Sequence, residues 1–494
     1  MAKTWAISGV DLHLDLEGPR VRAGLETALR DAVSAGRLAP GSRLPSSRAL
    51  AADLGIARNT VAEAYGQLVA EGWLTAVQGS GTRVAERPEV PEPAVPARSS
   101  PGRRIRYDLS PGSPDVSAFP RSAWLSATRH ALGGASFGAL GYGDPRGQPE
   151  LRAALAEYLA RARGVRATPD RVVVCSGFTQ GFRLLCEALR ARGARTLAIE
   201  RYIQPATAEA ASACGLRLAP VDVDDDGAAV ERLACADAAL LTPAHQFPIG
   251  APLAPRRRVV AVEWAQASGG LLIEDDYDGE FRYDRHPLGS LQALAPQRVV
   301  YAGTASKTLA PGVRLGWLVL PADLVDDVVA AKSLADRNSS AIDQLTLARL
   351  ITSGAYDRHV RRSRLIYRRR RDRLVAALRR HAPRVRTSGI AAGLHALVEL
   401  PDDVDEKAVV ARAAERGLSL QGLGEYAHGG HTHPPALVVG YAKPPEHAFT
   451  GAVARLAAVL RDATGRPANP SAGAPARGRS GTSWKGRGPR QPRP

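Results

Sequence analysis

Lys307 lies in the run VVYAGTASKTLAPGVRLGW, preceded by Thr304 and Ser306 and followed by Arg314. Upstream, the run GGLLIEDDYDGEFRY carries Asp275 and Tyr277 directly after the apolar residues Leu271 to Ile273. A lysine amine condenses with an aldehyde, an aspartate keeps a ring nitrogen protonated, and hydroxyls with an arginine hold a phosphate. These are the parts that pyridoxal phosphate chemistry asks for. By themselves they mark a candidate site for that cofactor: Lys307 for the Schiff base, Asp275 for the pyridinium nitrogen and Tyr277 for the ring's phenolic oxygen. Thr304, Ser306 and Arg314 would take the phosphate.

Such side chains need strand ends to present them. Leu271 to Ile273 and Val299 to Tyr301 read as buried strands, and carboxyl ends of strands in open α/β sheets are where ligand groups gather. RVVVCSGFTQGFRLLCEAL reads as a strand, a Ser-Gly turn and a helix. Backbone N–H groups at such a helix start favour phosphate, so Gly177, Phe178 and Thr179 join the candidate phosphate site. Strands and helices alternate through TLAIE, LRLAPVDVD and AALLTP, predicting a mainly parallel sheet covered on both faces. A helix is expected from Pro149 to about Arg163, two more from Leu324 to about Arg337 and from Ile342 to about Ser353, and then a long basic one. In the last, Leu365, Leu374 and Leu378 are expected to face the core, with the charges solvated. LHALVEL and ALVVGYA read as strands of a small C-terminal α/β lobe.

The N-terminal part has a different grammar. Val21, Leu25, Leu29 and Val33 recur at helical spacing up to Gly36. A short helix capped by Ser46 or Ser47 then runs to Leu54, Gly55 turns the chain, and a second helix spans Arg58 to Glu71. WLTAV, QGSG and TRVA make a hairpin. Helix, glycine turn, helix and hairpin is a winged helix-turn-helix.

At these residues two resemblances can be stated. GRLAPGSRLPSSRALAADLGIARNTVAEAYGQL is similar to the DNA-binding domain of the GntR transcription regulators. EDDYDGEFRY and ASKTLAPGVRLGW resemble the MocR-type branch of that family, in which the winged helix is fused to a class I, fold-type I aminotransferase-like domain. The resemblance implies double-stranded DNA as a partner, pyridoxal 5'-phosphate as cofactor and a homodimer. Arg58, Asn59 and Thr60 would start the helix that reads base edges. Arg43, Ser46 and Arg48 would meet the backbone, and the wing glycines Gly79 and Gly81 would let it approach the minor groove. Tyr142 matches the aminotransferase tyrosine that reaches the neighbouring subunit's cofactor phosphate.

The totals agree with that partner. The chain has 494 residues with a formal charge of +17, which points to a polyanion. Its 45% hydrophobic residues are enough for a real core. The four cysteines show no metal spacing, and no metal site is expected. No signal peptide or membrane span is read from the chain, so a cytoplasmic protein is expected. The domain boundaries expected are 1–85 for the winged helix, 86–106 for a proline-rich linker, 107–462 for the aminotransferase-like domain and 463–494 for a basic, disordered tail.

Three departures separate the chain from working aminotransferases. Phe247 stands where the enzymes carry an asparagine that bonds the ring oxygen. Gln204 takes the place of a ring-stacking tyrosine, for which Tyr202 is the substitute at hand. Val438 takes the place of the arginine that clamps a substrate carboxylate, with Arg201, Arg282 and Arg337 as possible replacements. The reading is therefore a regulator whose domain senses pyridoxal phosphate, an amine or an amino acid. The alternatives are an aminotransferase with an accessory DNA-binding domain, and a regulator whose large domain has lost its cofactor.

Overall fold

The computed structural model describes residues 21–77, 81–86, 105–283, 288–430 and 433–465. The chain divides into two compact units, 1–100 and 101–494. The linker, the C-terminal tail and Gly79 fall wholly or largely outside the described residues.

In the first unit α1 (Val21–Ser34) buries Leu25 and Leu29 of the expected apolar stripe, while Val33 is half-buried and Val21, in its first turn, is exposed. α2 (Ser47–Leu54) is capped by the Ser46 side chain, which accepts from the Ala49 N–H at 3.2 Å. Gly55 closes α2 in the left-handed conformation at φ 66°, a position that suits glycine. α3 (Arg58–Ala70) follows, with Val61, Ala64, Tyr65 and Leu68 facing the core. The Tyr65 hydroxyl donates to the Pro45 carbonyl at 3.0 Å, fixing α3 on the chain that enters α2. β1 (Leu74–Val77) and β2 (Gly81–Val84) pair antiparallel as the wing.

The second unit is built on a seven-stranded sheet. Its strands are β3 (Val172–Cys175), β4 (Thr196–Glu200), β5 (Arg217–Val221), β6 (Ala238–Leu241), β7 (Leu271–Asp275), β8 (Val299–Thr304) and β9 (Gly316–Val319), in the order β3-β9-β8-β7-β6-β4-β5. Only β9 runs antiparallel to its neighbours within this sheet. Alternate residues feed opposite faces. Val173, Ile199, Ile273 and Val300 pack under one set of helices, while Val172, Val174, Tyr301 and Val319 pack under another. The expected mainly parallel sheet, covered on both sides, is present.

The helices that matter for the site are α4 (Pro149–Arg163), α5 (Phe178–Ala191), α6 (Ala341–Thr352) and α7 (Ala355–His381). Proline at its start and Gly164 at φ 70° after its end bound α4. The buried line of α7 runs through Tyr356, Val360, Ser363, Tyr367, Arg370, Leu374 and Leu378. Leu365, expected to face inward, lies off that line and is 57% exposed. Arg370 is 1% exposed because every nitrogen is used. It donates to Asp115, Glu446 and the carbonyls of Ala442 and Pro444, at 2.8–3.0 Å. A four-stranded sheet forms the small lobe, with strands Arg386–Ser388, His395–Glu399, Ala436–Gly440 and Gln421–Gly422 in that order.

No helix among the described residues is long and apolar enough to cross a membrane.

Candidate functional site

β7 ends on Asp275 and β8 on Thr304, paired in parallel so that Asp275 stands opposite Ala302. That register brings the aspartate to the lysine turn that leaves β8. Asp275 Oδ1 is buried and has no hydrogen-bond partner. Burial pushes the Asp275 carboxyl well above the usual carboxylate range, although the Lys307 charge pulls it back. The same burial lowers the Lys307 amine, and Asp275 opposes that shift. The Lys307 ammonium donates to the Gly112 carbonyl. A carboxylate without a donor, beside a lysine whose amine is pushed toward neutrality, fits a ring N–H and an aldehyde carbon respectively.

The phosphate candidates converge on one corner. Gly177 caps α5 at φ 93°, and a Cβ built there would stand 3.3 Å from Arg314 Nη1. Arg314 itself holds φ 52°, ψ 41°, a left-handed conformation uncommon for a side-chain-bearing residue. The Thr304 and Ser306 hydroxyls lie 2.9 Å apart, and the Ser306 N–H donates to Thr304 Oγ1 at 3.1 Å. Phe178 stacks on Phe182, so what it offers is its backbone, and Thr179 is exposed in the first turn. The corner is a glycine-floored helix start, two hydroxyls and a guanidinium.

Tyr277 is placed differently from its expected role. Its hydroxyl donates to the His245 carbonyl and lies beside His245 Nδ1, both at 3.1 Å, so its one hydrogen is engaged inside the protein. Asp278 holds the same Nδ1 at 2.9 Å. His245, Asp278 and His395 are all buried, and their ligand atoms lie within 4.8 Å of one another. Burial, reinforced by the neighbouring His245, pushes the His395 imidazole down to about 3. Glu200 is also buried; it accepts from the Thr242 N–H at 3.0 Å, the Thr242 hydroxyl and Gln246 Nε2, and burial pushes it up to about 7. The sequence reading missed these four; His245 and Asp278 had a signal, the His-Gln pair before Phe247 and the second aspartate of DYD, while Glu200 and His395 had none.

Two of the three departures from the enzymes, Phe247 and Val438, share one place. Phe247, Tyr202, Tyr426, Leu397 and Val438 form a buried apolar cluster. Phe247 meets Tyr277, His395 and Tyr426 edge-on at 5.0–5.9 Å between ring centres. Val438 is 0% exposed and paired across the sheet with Leu397 and Gln421. The three replacement arginines have contacts of their own. Arg201 is bound to Asp222 and the His428 carbonyl, Arg282 donates to the Ala244 carbonyl, and Arg337 stacks on the Tyr142 ring at 5.4 Å. Gln204 lies near Gly112 rather than in the cluster. Tyr142 is not gathered into the site of its own chain and is 86% exposed.

In the wing unit Arg58 and Asn59 are exposed at the start of α3, with Thr60 half-buried behind them. Arg48 is exposed on α2. Arg43 is bridged to Arg83 of β2, and its guanidinium lies over Gly81, which sits at φ 88°. Ser46 is occupied with its cap.

Two domain families match this arrangement. Residues 22–84 match bacterial regulatory proteins of the gntR family, and residues 108–418 match aminotransferase class I and II. The large unit is similar in fold to an archaeal alanine:glyoxylate aminotransferase, with a TM-score of 0.67 and 24% identity over 72% of this chain and 91% of that one. A Pyrococcus horikoshii kynurenine aminotransferase gives 0.66 and 25% identity over 73% and 92%. The fold and its site thus define a winged helix-turn-helix joined to a fold-type I aminotransferase domain.

Relatives of the same build are transcription regulators. The pyridoxine biosynthesis transcriptional regulator PdxR of Corynebacterium glutamicum is 33% identical over 438 residues, covering 87% of this chain and 94% of that protein. The probable rhizopine catabolism regulatory protein MocR of Rhizobium meliloti is 34% identical over 395 residues, covering 75% and 79%. The chain belongs to this MocR and PdxR type of gntR-family regulator.

Proposed function

We propose that the protein is a DNA-binding transcription regulator that holds pyridoxal phosphate at Lys307 and responds to the supply of that cofactor. The observation that carries the reading is the buried, unpartnered Asp275 Oδ1 beside Lys307. When bound, pyridoxal phosphate supplies an aldehyde for a lysine amine and a ring nitrogen that carries a proton. Lys307, whose amine burial shifts below its ordinary value, would be the nucleophile toward that aldehyde. Asp275 holds the proton at the ring nitrogen. Thr304, Ser306, Arg314 and the N–H groups of Gly177, Phe178 and Thr179 hold the phosphate.

The apolar cluster around Val438 decides between effectors. An amino-acid carboxylate held where the enzymes hold it would meet Val438 in place of an arginine, among the apolar side chains of Phe247, Tyr202 and Tyr426. The cofactor itself is therefore the favoured signal, and the relative named for pyridoxine biosynthesis supports it. Efficient transamination is disfavoured for the same reason. The DNA-reading residues are Arg58, Asn59 and Thr60, with Arg43, Arg48 and Gly81 toward the backbone.

A homodimer is part of this proposal. Phe137 is 98% exposed and Tyr142 86%, with Leu132 and Leu140 near half, which is a large apolar run for a free surface. A second copy would cover it and place Tyr142 at the neighbouring site.

The test combines visible absorbance, borohydride trapping and promoter footprinting of the purified chain. Pyridoxal phosphate should attach to the wild type, fail to be trapped in Lys307→Ala, and change the footprint in the wild type alone. Turnover of an amine donor with a keto acid would make the protein an enzyme first and defeat this reading.

A further inference from the structure

We propose that the exposed arginine face of α7 is a second contact surface for duplex DNA, carried by the aminotransferase-like unit itself. Arg361, Arg362, Arg368, Arg369, Arg379 and Arg380 are exposed, on the side away from the buried line of Tyr356, Val360, Tyr367, Leu374 and Leu378. Arg361/Arg368 and Arg362/Arg369 are seven residues apart and Arg368/Arg379 and Arg369/Arg380 eleven, intervals close to whole numbers of turns that keep them along one side of the helix. From Arg361 to Arg380 the stripe runs about 29 Å at roughly 1.5 Å per residue, close to one turn of B-form DNA at about 34 Å.

What distinguishes this stripe is that six arginines without acid partners share one helix face. Several other exposed arginines of the unit are matched, Arg192 with Asp323 and Asp327, Arg256 with Asp226 and Arg386 with Glu399, and those that are not, such as Arg121, Arg195 and Arg349, are scattered over different elements. On α7, Asp357 is taken by Arg161, and Arg373 pairs with Glu446. The six stripe arginines have no hydrogen bond or ion pair among the described residues, and Asp372 is the one exposed acid between them. A line of like charges kept uncompensated repels itself, and a polyanion of matching length relieves that repulsion by releasing counterions. A membrane surface is the weaker fit, because Leu365 is the one large apolar side chain exposed on this helix.

The experiment uses the full chain and a long random-sequence duplex, with binding measured across a salt series. The quadruple variant Arg361→Ala, Arg362→Ala, Arg368→Ala, Arg369→Ala should bind about tenfold or more weakly. Its slope of log affinity against log salt should shrink by about 2 to 4, near 0.9 for each phosphate that is no longer neutralised. The matching quadruple lysine variant should keep most of both. Unchanged affinity and slope in the alanine variant, at an unchanged melting temperature, would overturn the proposal. So would an equal loss in the lysine variant, which would mean packing rather than charge, or binding of phosphatidylserine vesicles with no effect on DNA. Arg58→Ala, run alongside on the cognate promoter, keeps the winged-helix reading separate, since it probes DNA binding through α3 whatever α7 does.

Discussion

The Arg314 guanidinium lies beside the α carbon of Gly177, so that a methyl group added at the start of α5 would stand 3.3–3.4 Å from it and push it by a few tenths of an ångström. Gly177→Ala adds that methyl at a backbone angle of φ 93°, which side-chain-bearing residues rarely adopt. The variant should lose pyridoxal phosphate affinity by about tenfold or more, equivalent to roughly 1.4 kcal/mol. Fluorescence titration of the cofactor checks this. An unchanged affinity would remove Gly177 and Arg314 from the phosphate site.

Asp275 yields a pH prediction. Its folded-state carboxyl is raised by burial, so the folded protein keeps that proton at pH values where the unfolded chain has already lost it. Stability from this group is complete below the ordinary carboxylate range and falls as pH rises through the folded value. Asn does not titrate. Cofactor-free Asp275→Asn should therefore be more stable than wild type at pH 8, by about 1–3 kcal/mol, the usual cost of an unpartnered buried group, with the advantage shrinking toward pH 4. Denaturant melts at the two pH values measure it, and a pH-independent difference would contradict the assignment. With cofactor present the order should reverse.

On the DNA side, Arg58→Ala should weaken binding to the cognate promoter by about 1–3 kcal/mol, the range for a bidentate base contact, and random DNA much less. Competition footprinting gives both numbers. Equal losses would make Arg58 a backbone contact.

Phe137 offers the test of assembly. Phe137→Glu puts a charge on a side chain that is 98% exposed in the single chain, so the fold of one copy should be untouched. If a second copy covers it, sedimentation should show a monomer with unchanged circular dichroism. A dimer as tight as wild type would place the interface elsewhere.

Much of this was legible in the chain because local signals and tertiary demand agree. Proline and glycine bracket α4, Gly55 turns α2 into α3, and the lysine run follows a strand that has nowhere to go but the sheet centre. Leu365 shows where such reading stops. Leu365 lies nine residues before Leu374, about half a turn off the face that Leu374 and Leu378 share, so residue type alone misplaced it, and the inward position that residue type could not suggest is Arg370, satisfied by four partners. The Tyr277, His245 and Asp278 contacts were hidden for another reason. They join segments 32 and 33 residues apart through side chains whose types have many ordinary uses.

Arg370 also does something mechanical. One of its hands grips Glu446 and the Ala442 and Pro444 carbonyls at the small lobe, and the other grips Asp115. Asp115 sits three residues beyond Gly112, whose carbonyl receives the Lys307 ammonium. The helix thus works as a crank. Any swing of the lobe that keeps this grip drags the Gly112 strap with it, and the lysine feels the lobe's position without touching it.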